Sequence, residues 1–563
     1  MNVISQIRTA YALGISSIVR VLIYRALVKV KLHPVIWVKS PSSNGPFFEA
    51  PNSTSARRIN TSRHTVKFLF ARDVQSDNHL QMIQSLVRSK EISLSHKHWT
   101  KIPDFSDVIG DIKTIWDPNR LAWILPIAQR AELGSNQSIQ KLNTKLYQWC
   151  GENPPYFGVN WKCGQEASIR VIHLLVGSHL FGQKKMNIPK GLESLVKQHL
   201  KRIDLTTAYA LAQKNNHIVS EAVALFCGSQ VLSPVAIKHQ QKGRKLIEFA
   251  ALRLIQEDGS FSQYSTVYHR FVLDLFSVAE WWRQLHGLNR FSEHFYKKLK
   301  AATLWMYQVT DINTGYAPNI GANDGSLLIP LTSSDYRDFR PSIQLASNLF
   351  LEHSLIHARG LWDEHNLWLG IRKKPVIQIP KETIDFKNFG LVVLRNTFID
   401  VFFRTANFKF RPSQSDIFHV DLWVKGKNIL RDDGTHSYAQ TKPNSFGSTA
   451  FHNTIEFDGR DQMPKLSRFL YGAWAQSTSS GPNLGPDENL KCKAAYTDYK
   501  GMTHDRSLCL KGNTFRCDDV ITGKAKKAVL RWRLIDENWV IVDSVISSDL
   551  GKITIQSEDI VEY

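Results

Sequence analysis

Cysteine is scarce in this chain. Six stand among 563 residues: Cys150, Cys163, Cys227, Cys492, Cys509 and Cys517. None forms a C-x-x-C pair, so neither a disulfide framework nor a thiolate zinc ribbon is expected, and buried free thiols are. Long apolar runs are lacking too. The run near the N-terminus, Tyr11 to Val19, is well short of the about 20 residues a membrane span needs, and Arg8, Arg20, Arg25 and Lys29 interrupt its surroundings. The dense apolar stretch and small-residue cleavage site of a signal peptide are not clear either. A basic amphipathic helix that packs on the body, or makes peripheral contact with a membrane surface, fits residues 1–30 better. Cytoplasmic and periplasmic locations both stay open.

Acidic residues are in deficit. Asp and Glu number 50 against 71 Lys and Arg, a formal net charge of +21. Such a field attracts polyanions: nucleic acid, anionic membrane or acidic polysaccharide. No nucleic-acid partner is expected, because the chain has no RNA-binding aromatic motif, zinc finger or helix-turn-helix signature. The basic residues are spread along the chain, as on an ordinary solvated surface, and charge alone does not choose a partner. The oligomeric state is not legible.

Hydrophobic residues make up 43% and aromatic residues 11% of the chain, with 15 Trp, a globular rather than disordered composition. The length exceeds one ordinary core, so two or three domains are expected. Residues 40–64, rich in Ser, Asn, Pro and Arg, read as a loop. From Asp107 to Gly370 apolar residues recur at three and four, clearest in Glu166–Leu180, His217–Phe226, Lys242–Ile255 and Thr266–Leu285, which is helical spacing. Asn153-Pro154-Pro155 and Asp258-Gly259 mark turns between helices. Near Lys373 the pattern changes to short alternating runs, among them Gly390–Arg395, Phe398–Arg404, Asp421–Val424, Thr454–Phe457, Ala528–Leu534 and Trp539–Ile546. These predict a β-sandwich. The expected division is 1–106 for an N-terminal helix and extended region, 107–372 for a helical bundle, solenoid or toroid, and 373–563 for the sandwich. The final run, Lys552–Tyr563, breaks off as if the sandwich were short of its last strands.

Two groups of residues carry chemistry. In helical sequence stand Asn215-Asn216-His217 and, farther on, Tyr268-His269-Arg270. In strand-like sequence stand His419-Val420-Asp421, Asp432-Asp433-Gly434 and His452-Asn453-Thr454. Other blocks fall in order around them: Trp116-Asp117-Pro118-Asn119-Arg120, Gly158-Val159-Asn160-Trp161 with Glu166 and Arg170, Asn323-Asp324-Gly325, Asp335 through Pro341, and His504-Asp505-Arg506. Each block alone is weak. The ordered series resembles the heparinase II/III family of polysaccharide lyases, and most of all its members in bacterial surface-polysaccharide (capsule or O-antigen) gene clusters. The resemblance implies an α+β chain, an (α/α) toroid followed by an antiparallel β-sandwich, with the active cleft between them. It also implies an acidic polysaccharide as substrate.

A polyuronate lyase removes the proton on C5 of a uronic acid and expels the oxygen at C4. A carboxylate must be neutralised, a base must take the proton and an acid must protonate the leaving oxygen. Asn215 and Asn216 are candidates for the first task, since an amide donates two hydrogen bonds. Asn is equally a preferred helix N-cap, and the resemblance favours catalysis for Asn216. His217 is a carboxylate clamp or base, and Glu221, four residues on, would orient or charge it. Tyr268 is the expected acid, its pKa lowered by His269 or Arg270; the ordinary alternative pairs it with Tyr264 on one helix face. Asn323, Asp324 and Arg337, together with Asn215, His269 and Arg270, are expected to grip substrate, with Arg340 beside them. His419, Asp432 and His452 suit a structural Zn²⁺ with one open position. Asp433 is the alternative to Asp432, Asp421 a supporting partner, and a metal-free polar cluster the ordinary reading. Many lyases of this family have a further catalytic His two residues before the first metal-type His, where this chain has Ile417. That leaves a non-catalytic glycan-binding or biosynthesis accessory protein as the alternative function. A hydrolase would need a carboxylate pair across the cleft, and nothing marks Asp324 and Glu221 as one.

Overall fold

The structure is a computed structural model. It describes residues 3–49, 94–103, 110–133, 137–183, 188–232, 236–435, 446–485 and 489–557. Most of the 40–64 stretch and the last residues of the chain lie outside these.

Helices fill the first part: α1 (Val3–Leu13), α2 (Ile15–Lys29), α3 (Lys113–Trp116), α4 (Ile124–Glu132), α5 (Gln137–Glu152), α6 (Gly164–Leu180) and α7 (Lys190–Asp204). They continue as α8 (Thr207–Gln213), α9 (Asn216–Gly228), α10 (Ile237–Leu254), α11 (Thr266–Leu285), α12 (Glu293–Val309), α13 (Arg340–Phe350) and α14 (Glu364–Leu369). Every residue of α6 is buried, and α9 is nearly so. A helix covered on all sides is a core helix, and α9 packs on α6, α10 and α11. Gly243 lets α10 come close to α9, because a Cβ there would stand 2.5 Å from the Phe226 nitrogen. Among the described residues no single helix is long and apolar enough to cross a membrane.

The second part is antiparallel. One sheet runs in the order β1 (Ile384–Phe386), β2 (Leu391–Arg395), β3 (Ile399–Arg404), β4 (Val420–Val424) and β5 (Lys427–Leu430). After β6 (Ile455–Phe457), β7 (Lys465–Ser467) and β8 (Leu470–Tyr471), a second sheet holds β9 (Ser477–Leu484), β10 (Leu490–Thr497), β11 (Thr503–Lys511) and β12 (Thr514–Thr522), paired in the order β12-β11-β10-β9. β9 and β10 lie against β2, so the two sheets form a sandwich. Its inner residues alternate with outer ones: Cys492, Ala494 and Tyr496 on β10 and Leu508 and Leu510 on β11 are buried, as the two-residue period of a strand requires. β13 (Ala528–Leu530) pairs with β6, and β14 (Val540–Val542), β15 (Val545–Ser548) and β16 (Gly551–Thr554) make a small outer sheet. This is the helical toroid with a β-sandwich.

Tyr264 joins the two parts. It precedes α11 with a positive φ of 52°, so it does not share a helix face with Tyr268. Its hydroxyl accepts the backbone N–H groups of Lys409 (2.8 Å) and Phe410 (3.1 Å), and its ring packs on Phe389 and Phe408. Asp258 accepts the N–H groups of Asn388 and Phe389 from the other side. One apolar core runs through both parts, which fixes them against each other.

Candidate active site

The N-termini of α9 and α11 come together. Asn215 caps α9 by accepting the His217 N–H at 3.1 Å, and Ser265 caps α11 by accepting the Tyr268 N–H at 3.1 Å. The side-chain oxygen of Gln263 ties the two ends by accepting the Asn216 N–H at 2.8 Å. Asn216 is buried, and its amide donates to Gln165 Oε1 at 2.7 Å. The helix-cap reading therefore describes Asn215, while Asn216 sits one residue inside the helix.

The Tyr268 hydroxyl donates to Asp324 Oδ2 at 2.8 Å. Lys113 Nζ lies 3.1 Å from the same oxygen, and the Ser326 N–H donates to Oδ1 at 3.1 Å. Burial opposes ionisation of Asp324, but Lys113, Arg120 and the hydrogen bonds from Ser326 and Tyr268 hold its carboxyl well below the usual carboxylate range. A carboxylate beside a phenol disfavours phenolate. Tyr268 is thus placed as a hydrogen donor toward a carboxylate.

His217 is half-buried, with Nδ1 3.9 Å from Cys163 Sγ. Burial lowers its pKa, Arg411 adds to this, and Glu221, Glu166 and Asp324 pull the other way. The ring is neutral near pH 7, as a base must be. Burial pushes the Glu221 carboxyl up to about 8, with His217 and Arg202 opposing it.

His269 and Arg270 point away from the cleft. His269 Nε2 meets the Ala302 carbonyl at 2.9 Å, its ring stacks on Trp305, and burial lowers its pKa to about 4. Arg270 donates to the carbonyls of Tyr336 and Ser326 and lies over the Tyr336 and Phe339 rings. Helical geometry explains this, because residues one and two positions after Tyr268 face other directions. Two charges that do act on Tyr268 are Asp324 and Arg411.

Arg411, in the connection between β3 and β4, has no motif around it to mark it in the sequence. It is partly exposed and makes no hydrogen bond or ion pair among the described residues. Burial lowers its pKa while Tyr209 and Tyr268 raise it, and it acts in turn on His217. A guanidinium from the β domain therefore acts electrostatically on both helical candidates. Asn323 belongs to the same seam: its N–H donates to Thr435 Oγ1, and its side chain accepts from Tyr336 and donates to Asn319. Asn319, Asn323, Tyr336 and Arg337 line a small pocket there. Arg337 is exposed and lies over the Tyr316 ring, whereas Arg340 is spent on Asp338 at 2.8 Å.

In the sandwich, potential ligand atoms of His419, Asp432 and His452 all lie within 4.8 Å of one another, and all three residues are buried. His452 Nδ1 meets Asp432 Oδ2 at 2.9 Å, and His419 Nε2 lies 3.6 Å from the same oxygen. Burial works against charging His452, yet Asp432 lifts its pKa above the ordinary value. Two imidazoles and a carboxylate suit a divalent cation, and His419 Nε2 is buried without a hydrogen bond. The donor set fits. The Asn453 N–H donates to His419 Nδ1 at 2.9 Å, a contact that ligation through Nε2 would have to give up, since one ring nitrogen must carry the proton. Asp421 lies 3.9 Å from His419 Nε2. Asp433 pairs instead with Arg533 at 2.7 Å. Arg506 anchors the site: it grips Asp519 with two nitrogens and donates to the carbonyls of Phe418 and Asn453. His504 also bonds Asp519, at 2.7 Å.

Residues 378–558 match the family described as heparinase II/III-like, C-terminal. The C-terminal third of the chain is thus heparinase II/III-like. Its whole outline is similar to the crystal structure of heparinase III, with a TM-score of 0.61, 16% identity, and coverage of 89% of this chain and 78% of that one. It is also similar to the crystal structure of a heparan sulfate lyase HepC mutant from Pedobacter heparinus, with a TM-score of 0.52, 16% identity, and coverage of 96% and 80%. At such identity the likeness speaks for the polysaccharide lyase fold. No curated protein sequence matches the chain. Where the resemblance to heparinase II/III lyases leads one to expect a His, Ile417 is wholly buried in the apolar core. Its backbone is held by Gln462 and Thr454.

Proposed function

We propose that the chain is a lyase that cleaves an acidic, uronate-containing polysaccharide by β-elimination. The observation that carries this reading is the hydrogen bond from the Tyr268 phenol to Asp324, with the charge of Arg411 acting on both Tyr268 and His217. Arg411 pairs with the uronate carboxylate and stabilises the charge that develops as the C5 proton leaves. His217 takes that proton. The C5–H electron pair becomes the C4–C5 double bond, the C4–O bond breaks, and Tyr268 protonates the departing oxygen. The proton held by His217 is released to water, and Tyr268 is reprotonated quickly because a phenolate beside Asp324 is unfavourable. Asn323 and Arg337 line the approach. In the same reading His419, Asp432 and His452 would hold a structural zinc, which would cross-link the loops that carry them.

The test is ultraviolet absorbance during incubation with alginate, heparan, chondroitin and hyaluronan. Elimination produces an unsaturated carboxylate chromophore and hydrolysis does not. A rise that Tyr268→Phe abolishes supports the reading; chain shortening without the chromophore sinks it. Binding without cleavage favours the second reading, a glycan-binding protein on the lyase scaffold. Two observations favour that alternative: the buried Ile417 and the Asn216 amide committed to Gln165.

A further inference from the structure

The first 48 residues contain no Asp or Glu, Glu49 being the first acid of the chain. α2 is apolar on two opposite faces. Tyr24 and Val28 lie on the inner one, and Tyr24 stacks on Tyr209 at 4.6 Å. The outer face carries Ile15, Val19, Leu22, Ile23, Ala26 and Val30, all exposed. Their spacing, i, i+4, i+7, i+8, i+11 and i+15, is a continuous stripe on a helix of 3.6 residues per turn. Arg20 flanks the stripe on one side, and Arg25 and Lys29 on the other. Next to it, Tyr11 of α1 is 78% exposed and Trp37 is 65% exposed.

A face of this kind is costly to leave in water, and its rim says what covers it. A protein partner with an apolar groove needs no ring of cations. A bilayer with anionic headgroups matches both parts: the stripe enters the acyl boundary, the arginines and lysine meet the lipid phosphates, and Tyr11 and Trp37 sit at headgroup depth. The bend of 85° between α1 and α2 suits helices lying in the interface plane.

The hairpin is fastened to the body. Thr9 Oγ1 accepts the Ala473 N–H at 2.9 Å, and Lys214 Nζ donates to the Leu13 carbonyl at 3.0 Å. Lys214 directly precedes Asn215. We infer that the outer face of α1 and α2 binds the surface of an anionic lipid bilayer and holds the cleft close to it.

The experiment is co-sedimentation of the full chain with vesicles of phosphatidylcholine alone or mixed equally with phosphatidylglycerol. Binding is expected to the mixed vesicles only, and to weaken as salt is added. Arg20→Gln with Arg25→Gln should weaken it about 25-fold, about fivefold per charge, and Leu22→Ser with Ile23→Ser by at least about tenfold. All four positions are exposed, so circular dichroism and Tm should stay unchanged. Equal binding to both vesicles, no binding, or indifference to the charge pair would overturn the inference. So would a dimer in sedimentation velocity that the serine variant abolishes, because a second copy would then cover the face.

Discussion

Tyr268 gives its hydroxyl hydrogen to Asp324 at 2.8 Å, and Asp324 is held as an anion by Lys113 at 3.1 Å. The phenol is therefore aimed by a carboxylate that is held ionised. Tyr268→Phe is expected to lower kcat about 10²- to 10⁴-fold, the range for a lost general acid, with KM little changed. Asp324→Asn should also lower kcat, by freeing the phenol to turn. Unchanged kcat in Tyr268→Phe would remove the residue from the chemistry.

Arg411 tests the role of the β domain in the cleft. Arg411→Ala is expected to raise KM for a uronate polymer about 10- to 100-fold, the worth of one hydrogen-bonded charge pair. Arg411→Lys should recover part of this, since it keeps the charge and loses the two-pronged geometry. The check is steady-state kinetics, or binding in the Tyr268→Phe background. An Ala variant that binds as well as the parent would contradict the assignment.

The buried His452–Asp432 pair makes the sandwich sensitive to single changes. His452→Ala leaves Asp432 buried beside His419 alone and is expected to cost about 3–5 kcal/mol, read as a fall in the denaturant midpoint. If the site holds zinc, elemental analysis of the purified protein will find about one equivalent, and the variant will lose it. A parent protein free of metal and indifferent to chelator would leave a hydrogen-bonded polar cluster.

Burial holds both His269 and His365 at about 4 in the folded protein, against about 6.5 in an unfolded chain. The unfolded state thus binds more protons between these values, and stability falls as pH drops from about 6.5 to about 4. Each group contributes about 1.4 kcal/mol per pH unit across that window. Urea midpoints measured at several pH values should show the decline, and His269→Gln should flatten it. A midpoint constant down to pH 4 would contradict the assignment.

Much of the fold was legible. The spacing of apolar residues predicts a helix over Thr266–Leu285, and α11 has those bounds. The strands around Gly390–Arg395, Phe398–Arg404 and Asp421–Val424 were marked by dense β-branched and aromatic residues. β9 to β12 were not, because runs such as Leu490–Thr497 place Lys and Thr on the outer face and carry few aliphatic residues. At the site, the ordered motifs pointed to Tyr268, Asp324 and the His419, Asp432 and His452 set. They also suggested His269 and Arg270, which share a tripeptide with Tyr268 but face the core.

By itself the sequence determined the two-part architecture, because periodicity of 3.6 or 2 is written locally, and it determined the basic N-terminal stretch and the residue types of the candidate centres. Only the tertiary structure decided which charges meet Tyr268. Asp324 reaches it from a loop and Arg411 acts on it from the other domain, and such proximity follows from packing rather than from spacing along the chain. It also decided that α2 is apolar on two faces and that only one of them is covered. A helical stripe reads the same in sequence whether or not a neighbour lies against it.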